Sequence, residues 1–258
     1  MDATEARPLE GKVALVTGGG VRLGKAMAEG LGRWGARVAV HFHGSAEQAH
    51  QTVQHINVDG NGALAFQADL TDEAQVVALV EAVEREMGST AILVNSAALF
   101  ERAPLVETPA AMADRLWALN ARAPLLVSRE VVKRFRGRGL TDIVNMIDVG
   151  GAFNAWRNYA AYGMSKAAAR SLTETLALEL APDVRVNGIA PGTVLPPAQM
   201  DAKTLDTLKQ RIPQGRFGSP DDIVETLRYL LLGPRFVTGH IVVVDGGRRL
   251  ETGARDGG

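Results

Sequence analysis

The chain has no cysteine. That excludes a disulfide framework, a thiolate zinc site and a cysteine nucleophile, and it fits a reducing cytoplasm. Neither sign of charge is in excess: 28 Lys and Arg face 29 Asp and Glu, a formal net charge of -1. A broad basic surface for nucleic acid and an acidic solvating tail are both disfavoured at that balance. Long apolar runs are missing too. No uncharged stretch reaches the ~18 residues that a bilayer span requires. The N-terminal MDATEARPLEGK has acids and no apolar segment, so it does not read as a signal peptide. Repeats are absent, and only the two ends are of low complexity. The expectation is a soluble cytoplasmic protein with no nucleic-acid and no membrane partner.

What is present is an alternation. Short β-branched runs at Lys12–Thr17, Ala36–Phe42, Ala63–Gln67, Ala91–Val94, Asp142–Met146, Val184–Ile189 and His240–Val244 read as strands. Between them lie amphipathic stretches that read as helices: Leu23–Trp34, Ala46–Val58 capped by Ser45, a stretch capped by Thr71 and running to Met87, Ala110–Arg136, Asn158–Leu180, Asp201–Arg211 and Pro220–Leu231. Asp59–Gly62 reads as a helix stop. Strand–helix alternation predicts a parallel sheet with helices on both faces, an α/β doubly wound fold of Rossmann type. No composition break marks a linker. A single domain is expected over residues 11–250, with an N-terminal tail at 1–10 and a C-terminal tail at 251–258.

The first strand runs into a glycine-rich turn, Thr17-Gly18-Gly19-Gly20-Val21-Arg22-Leu23-Gly24. Such a turn lets backbone approach a pyrophosphate, with the following helix offering free N–H groups and its positive dipole end. Gly18 and Gly20 match the first two places of the general dinucleotide pattern, but Leu23 stands in the third. After the second strand comes Val40-His41-Phe42-His43-Gly44-Ser45, with no acid to bind ribose hydroxyls. His43, Ser45 and Arg22 are donors suited to a 2′-phosphate, which favours NADPH over NADH.

Tyr162 and Lys166 lie four residues apart in a predicted helix, so they share a face. Tyrosine is a poor base and a usable acid near neutrality, and a neighbouring ammonium is expected to lower its pKa. The chain has three tyrosines, and Tyr162 alone has a lysine at that spacing.

From about Gly11 to Leu250 the sequence resembles the short-chain dehydrogenase/reductase family. The motifs occur in the family's order: the turn Thr17–Gly24, Asp69-Leu70 after the third strand, Asn95-Ser96-Ala97-Ala98 after the fourth, and Asn120 in the long helix. Tyr162 with Lys166, Pro191-Gly192, Val237-Thr238-Gly239 and Val244-Asp245-Gly246-Gly247 follow. The resemblance implies cofactor binding by Gly18, Arg22, Leu23, Gly24, His43, Ser45, Asp69, Leu70, Asn95, Ser96, Ala97, Lys166, Pro191 and Gly192. It also implies a homotetramer built through the long helices and the last strand.

Departures from the common pattern point to one branch. The family serine that precedes the tyrosine is missing; no serine lies between Ser128 and Ser165, and the fifth strand ends Asn145-Met146-Ile147-Asp148. Arg22 replaces a family glycine. Asp148, Arg22-Leu23-Gly24, His41-Phe42-His43-Gly44-Ser45-Ala46-Glu47, Phe100 and Ala190–Pro197 together resemble the pteridine reductases. Two details differ from that branch: Ala98 stands where a serine is frequent, and Asp148 is one residue farther from the tyrosine. The resemblance implies hydride transfer from NADPH to a C=N or C=O bond. In it, Tyr162 is the proton donor and Lys166 holds the nicotinamide ribose. Asp148 orients or recharges the tyrosine, and Asn120 holds a water on a proton path to Lys166. Phe100, Arg22, Asp148 and Tyr162 meet the substrate, with Phe100 stacking on its ring. An ionised carboxylate only accepts, so Asp148 suits a heterocycle with N–H donors. A carbonyl reductase, for example of 3-oxoacyl thioesters, and a non-catalytic NADPH-binding sensor or scaffold are the alternatives. The loop Thr193–Arg216 is expected to close over the substrate, and no metal site is expected.

Overall fold

In the computed structural model, which describes residues 7–58, 60–196 and 200–251, the alternation becomes a sheet. Its strands are Val13–Thr17 (β1), Arg37–Phe42 (β2), Leu64–Gln67 (β3), Thr90–Asn95 (β4), Asp142–Met146 (β5), Arg185–Pro191 (β6) and Ile241–Val244 (β7). All pairings are parallel, in the order β3-β2-β1-β4-β5-β6-β7. Every residue of β1, β4, β5 and β6 is buried. That is the signature of parallel strands covered on both faces, and it is why they read as continuous apolar runs rather than alternating ones.

The covering helices are Arg22–Arg33 (α1), Ala46–Asn57 (α2), Glu73–Met87 (α3), Ala110–Trp117 (α4), Ala123–Phe135 (α5), Ala160–Leu180 (α6), Ala202–Gln210 (α7) and Pro220–Leu232 (α8). The two-residue period of β1 sends Ala14 and Val16 to one face, where Met27, Leu31, Ile223 and Leu227 cover them. Val13 and Leu15 go to the other, against Val76, Val80, Val131 and Phe135. Between β1 and β4 the strand order reverses, which opens a crevice at the strands' C-terminal ends. The register sets Thr17 beside Asn95, and Asn95 beside Asn145, along that edge.

Several local expectations change. Thr71 does not cap α3: its N–H and hydroxyl both bond Asp69 Oδ1, at 2.9 and 2.7 Å. Asp72 is the cap, accepting from the N–H groups of Ala74 and Gln75. Ser45 stands at the start of α2 but makes no side-chain capping bond. The single helix expected over Ala110–Arg136 is interrupted by a π turn at Ala118–Arg122. The helix expected from Asn158 begins at Ala160, because Asn158 has φ of 71°. Leu9, assigned to a tail from sequence, is buried and donates its N–H to the Trp34 carbonyl at 2.8 Å. Asp59, Pro197 and the tail beyond Glu251 lie outside the described residues.

Candidate active site

The crevice starts at the glycine turn. Gly18 has φ of 64°, and a Cβ there would lie 2.9 Å from the Ala97 Cα. Only glycine satisfies both conditions. The Gly18 N–H donates to His41 Nδ1 at 3.1 Å, and His41 Nε2 donates to the Ala68 carbonyl at 3.0 Å. This buried imidazole therefore sets the shape of the turn; burial pushes its pKa down to about 4, so it is neutral. Thr17 Oγ1 accepts from the N–H groups of Ser96 and Ala97, at 2.9 and 3.1 Å, and draws the loop after β4 against the turn. At the head of α1, Val21 gives no side-chain cap and the first helical turn has no acid. Its N–H groups and dipole are thus open to an anion.

Arg22 has φ of 51°. Glycine tolerates that conformation freely, whereas a side chain costs roughly 1–2 kcal/mol. The arginine reaches from the turn to the Leu195 carbonyl at 2.5 Å, across to the loop that leaves β6. His43 and Ser45 sit at the end of β2, His43 exposed and Ser45 half-buried. The Asp69 carboxyl is held below its usual pKa by Thr71's hydroxyl and N–H, beside buried Leu70. The Asn95 amide turns into the sheet, to Ser128 Oγ and Asn145 Oδ1, so its own side chain is structural. Gly192 follows β6 and lies close against Asp245.

The chemistry gathers at the ends of β4 and β5. Asp148 follows β5, and the Tyr162 hydroxyl donates to its Oδ2 at 2.7 Å. Asp148 Oδ1 accepts from the Gly150 N–H at 2.7 Å. One turn along α6, Lys166 Nζ donates to the Met146 carbonyl at 3.1 Å and lies 5.9 Å from the centre of the Tyr162 ring. Burial pushes the lysine pKa down to about 8, against the pull of Asp148. Burial raises the Asp148 pKa, with Tyr162, the Gly150 N–H, Lys166 and Arg248 opposing. The expectation that the lysine lowers the tyrosine pKa is not met. Tyr162 is 3% exposed, and burial, then the Asp148 charge, push its pKa up instead.

Asn120 sits in the π turn. Its Oδ1 accepts from the Leu99 N–H and its Nδ2 donates to the Leu99 carbonyl, both at 2.8 Å; Nδ2 also meets Ser165 Oγ at 3.1 Å. The amide thus pins the loop carrying Phe100 to α6 and does not bond Lys166. Phe100 is 55% exposed. Its ring stacks on Tyr159 at 5.1 Å and meets Tyr162 edge-on at 4.8 Å and Trp156 at 6.5 Å. An exposed phenylalanine face supported by three aromatic rings is a surface for a flat ligand.

A family model described as Enoyl-(Acyl carrier protein) reductase matches residues 20–249. The 5-keto-D-gluconate 5-reductase of Escherichia coli (strain K12) is 31% identical over 245 residues, covering 93% of this chain and 96% of that one. The 3beta-hydroxysteroid dehydrogenase 1 of Eggerthella lenta is 31% identical over 255 residues, covering 96% and 98%. A Serratia marcescens short-chain dehydrogenase/reductase double mutant superposes with a TM-score of 0.85 at 31% identity, over 94% of this chain and 99% of that one.

The chain belongs to the short-chain dehydrogenase/reductase family.

It is therefore an oxidoreductase that uses a nicotinamide dinucleotide. The Gly18 cradle and the uncapped α1 N-terminus fit that group's pyrophosphate. Of the residues singled out in the sequence, the fold gathers Gly18, Arg22, Leu23, Gly24, Ser96 and Ala97 on the β1–β4 side of the crevice. Asp148, Tyr162 and Lys166 are gathered at the β5–α6 corner, with Asn120 and Phe100 over them. His43, Ser45, Asp69 and Leu70 line the β2–β3 end. Sequence reasoning missed the supporting roles of His41 and Thr17, the aromatic neighbours Trp156 and Tyr159, and Arg248. His41 was visible in the His-Phe-His motif; nothing in the sequence linked Trp156 to Phe100. No helix among the described residues is long and apolar enough to cross a membrane.

Proposed function

We propose that this short-chain reductase uses NADPH to reduce a pterin-like flat heterocycle at a C=N bond, or a related C=O, with Tyr162 as proton donor. The observation that carries this is the 2.7 Å hydrogen bond between Tyr162 and Asp148, in the place where a serine is usual. The exposed face of Phe100 beside it supports a planar substrate. When bound, the reduced nicotinamide supplies the hydride. The turn Gly18–Gly24 and the α1 N-terminus would hold its pyrophosphate, Lys166 its ribose, Asp69 and Leu70 the adenine. Arg22, His43 and Ser45 would meet the 2′-phosphate, which is the basis for choosing NADPH.

The chain's own residues manage the proton. Tyr162 holds its proton firmly, so it enters the reaction as an acid. While Asp148 is ionised, the phenol's hydrogen is committed to it. The raised pKa of Asp148 allows the carboxyl to take a proton. The hydrogen bond then reverses: the carboxyl donates to the phenol oxygen, and the phenol's hydrogen is free for the substrate. The tyrosinate that forms is stabilised by the Lys166 ammonium and recharged from Asp148. An ionised Asp148 would instead accept from a substrate N–H.

A second reading is reduction of a carbonyl, in a keto acid or a 3-oxoacyl thioester; the activity named for the Escherichia coli relative supports the keto acid. We place the protein in the cytoplasm as a homotetramer; exposed Trp117, Leu125 and Leu178 on or beside α4, α5 and α6 support helix-mediated assembly. The test is NADPH oxidation with dihydrobiopterin, dihydrofolate, acetoacetyl thioester and 5-keto-D-gluconate in parallel. Turnover of the dihydropterins, lost in Tyr162→Phe by a factor of about 100 or more, is the expected result. Turnover of the thioester or keto acid alone overturns the heterocycle reading. Tight NADPH binding without turnover of any substrate points to a non-catalytic sensor or scaffold.

A further inference from the structure

Arg248 is unused in the chemistry above, yet it stands at the same corner. It follows the Asp245-Gly246-Gly247 turn after β7 and opens a short 3-10 turn, Arg248–Leu250. Its guanidinium carbon lies 5.6 Å from the centre of the Trp156 ring, and Nη1 bonds Thr193 Oγ1 on the loop that leaves β6. Trp156 in turn meets Phe100 and Tyr159, so Arg248 is one ring removed from the proposed stacking face. Asp148 is close enough for the two charges to act on one another.

The guanidinium is poorly provided for. It is half-buried, and among the described residues its side chain makes one hydrogen bond, to the Thr193 hydroxyl. A guanidinium has five N–H donors, and a partly desolvated cation with a single acceptor among them is costly. Burial, and then the like charge of Arg211, lower the Arg248 pKa. Asp148 and Asp245 act against these two effects, but among the described residues neither carboxylate bonds the guanidinium. Arg248 follows β7 and is tied to the loop after β6, and its charge acts on Asp148, which follows β5.

We propose that Arg248 is the anion-recognition residue of the substrate site, and that the substrate carries a carboxylate remote from the bond that is reduced. This rests on the reading of Tyr162 and Asp148 as the reacting corner. The planar fork binds a carboxylate through two parallel hydrogen bonds, and Trp156 holds the fork's face. The carboxylate can belong to the tail of a folate-type heterocycle or to a sugar acid, and the test separates the two.

The test uses the purified full chain at saturating NADPH, with Arg248→Met and Arg248→Lys. Dihydrofolate carries carboxylates on its tail and dihydrobiopterin carries none. The ratio of their kcat/KM values is expected to fall roughly 10- to 100-fold in Arg248→Met, through KM more than kcat, with part recovered in Arg248→Lys. A ratio unchanged from wild type overturns the proposal, since loss of loop structure would slow both substrates alike. If only 5-keto-D-gluconate is reduced and its KM rises in Arg248→Met, the anion role stands and the heterocycle reading falls. Calorimetric titration of the NADP⁺-loaded protein with folate, biopterin and gluconate reads binding without turnover. Failure of the wild type to prefer the carboxylate-bearing ligands in that titration also overturns the proposal.

Discussion

His41 makes the structure sensitive to acid in a calculable way. The side chain is 2% exposed at the end of β2, with Nδ1 accepting from the Gly18 N–H and Nε2 donating to the Ala68 carbonyl. A proton on Nδ1 would set one N–H against another. Burial lowers the pKa from 6.5 to about 4, the Ala68 carbonyl opposing only in part. Between these two values the unfolded chain binds a proton that the folded chain refuses, so stability rises with pH across that window. The contribution is complete above pH 6.5 and disappears as pH falls through about 4. The whole interval corresponds to about 3 kcal/mol, of which about 2 kcal/mol is lost by pH 5. Urea unfolding of wild type and His41→Gln at pH 7.5 and pH 5 measures it. Glutamine can donate and accept at the same place but does not titrate. Wild type is expected to lose about 2 kcal/mol more than the variant between the two pH values. Parallel losses in both proteins would refute the assignment of a neutral, acid-labile imidazole beneath the glycine turn.

Two further predictions concern the cofactor crevice. Lys166, with its pKa lowered to about 8, is expected to give a kcat that declines above about pH 8 as the ammonium is lost. Stability should move the opposite way, rising between pH 8 and 10.5 because the unfolded lysine holds its proton longer; Lys166→Met should abolish both dependences. Arg22→Gly removes a side chain held at φ of 51°, so it should raise stability by roughly 1 kcal/mol in thermal unfolding. The same change should weaken NADPH binding more than NADH binding, and equal weakening of both would remove Arg22 from 2′-phosphate recognition.

The fold was legible because parallel strands buried on both faces leave apolar runs that no surface segment imitates. β1, β5 and the turn at Gly18–Gly24 fall where the pattern puts them. What the pattern could not show was how backbone groups are satisfied locally. Thr71 and Asp72 are adjacent hydroxyl and acid at a helix start; either can cap, and the choice was decided by Asp69 capturing the threonine. The π turn at Ala118–Arg122 was hidden because one extra residue per turn hardly disturbs a helical hydrophobic pattern over so short a span. Yet that turn carries Asn120, and its amide reads both backbone groups of Leu99. The tyrosine's raised pKa was equally hidden. A lysine at i+4 can be seen in the sequence, but the burial that overrides it and the hydrogen bond to Asp148 belong to the tertiary structure.

The hydrogen bond between Asp148 and Tyr162, on which the site most depends, spans fourteen residues of chain. A separation of that length would leave the carboxyl far from the phenol if the intervening chain were extended. Instead the chain folds back on itself. Gly150 departs from helical geometry, Gly151 has φ of 82°, and Gly150 pairs with Asn154 in a single bridge. A Cβ at Gly151 would lie 2.2 Å from the Gly163 Cα, so the loop touches the backbone of α6 one residue after Tyr162. The Gly150 N–H, turned inward by this fold, is the group that holds Asp148 Oδ1. The chain beyond the glycines carries Trp156 and Tyr159, which build the support for Phe100. This folding-back keeps the Tyr162–Asp148 bond in place, and the same segment supplies two of the three rings packed against Phe100.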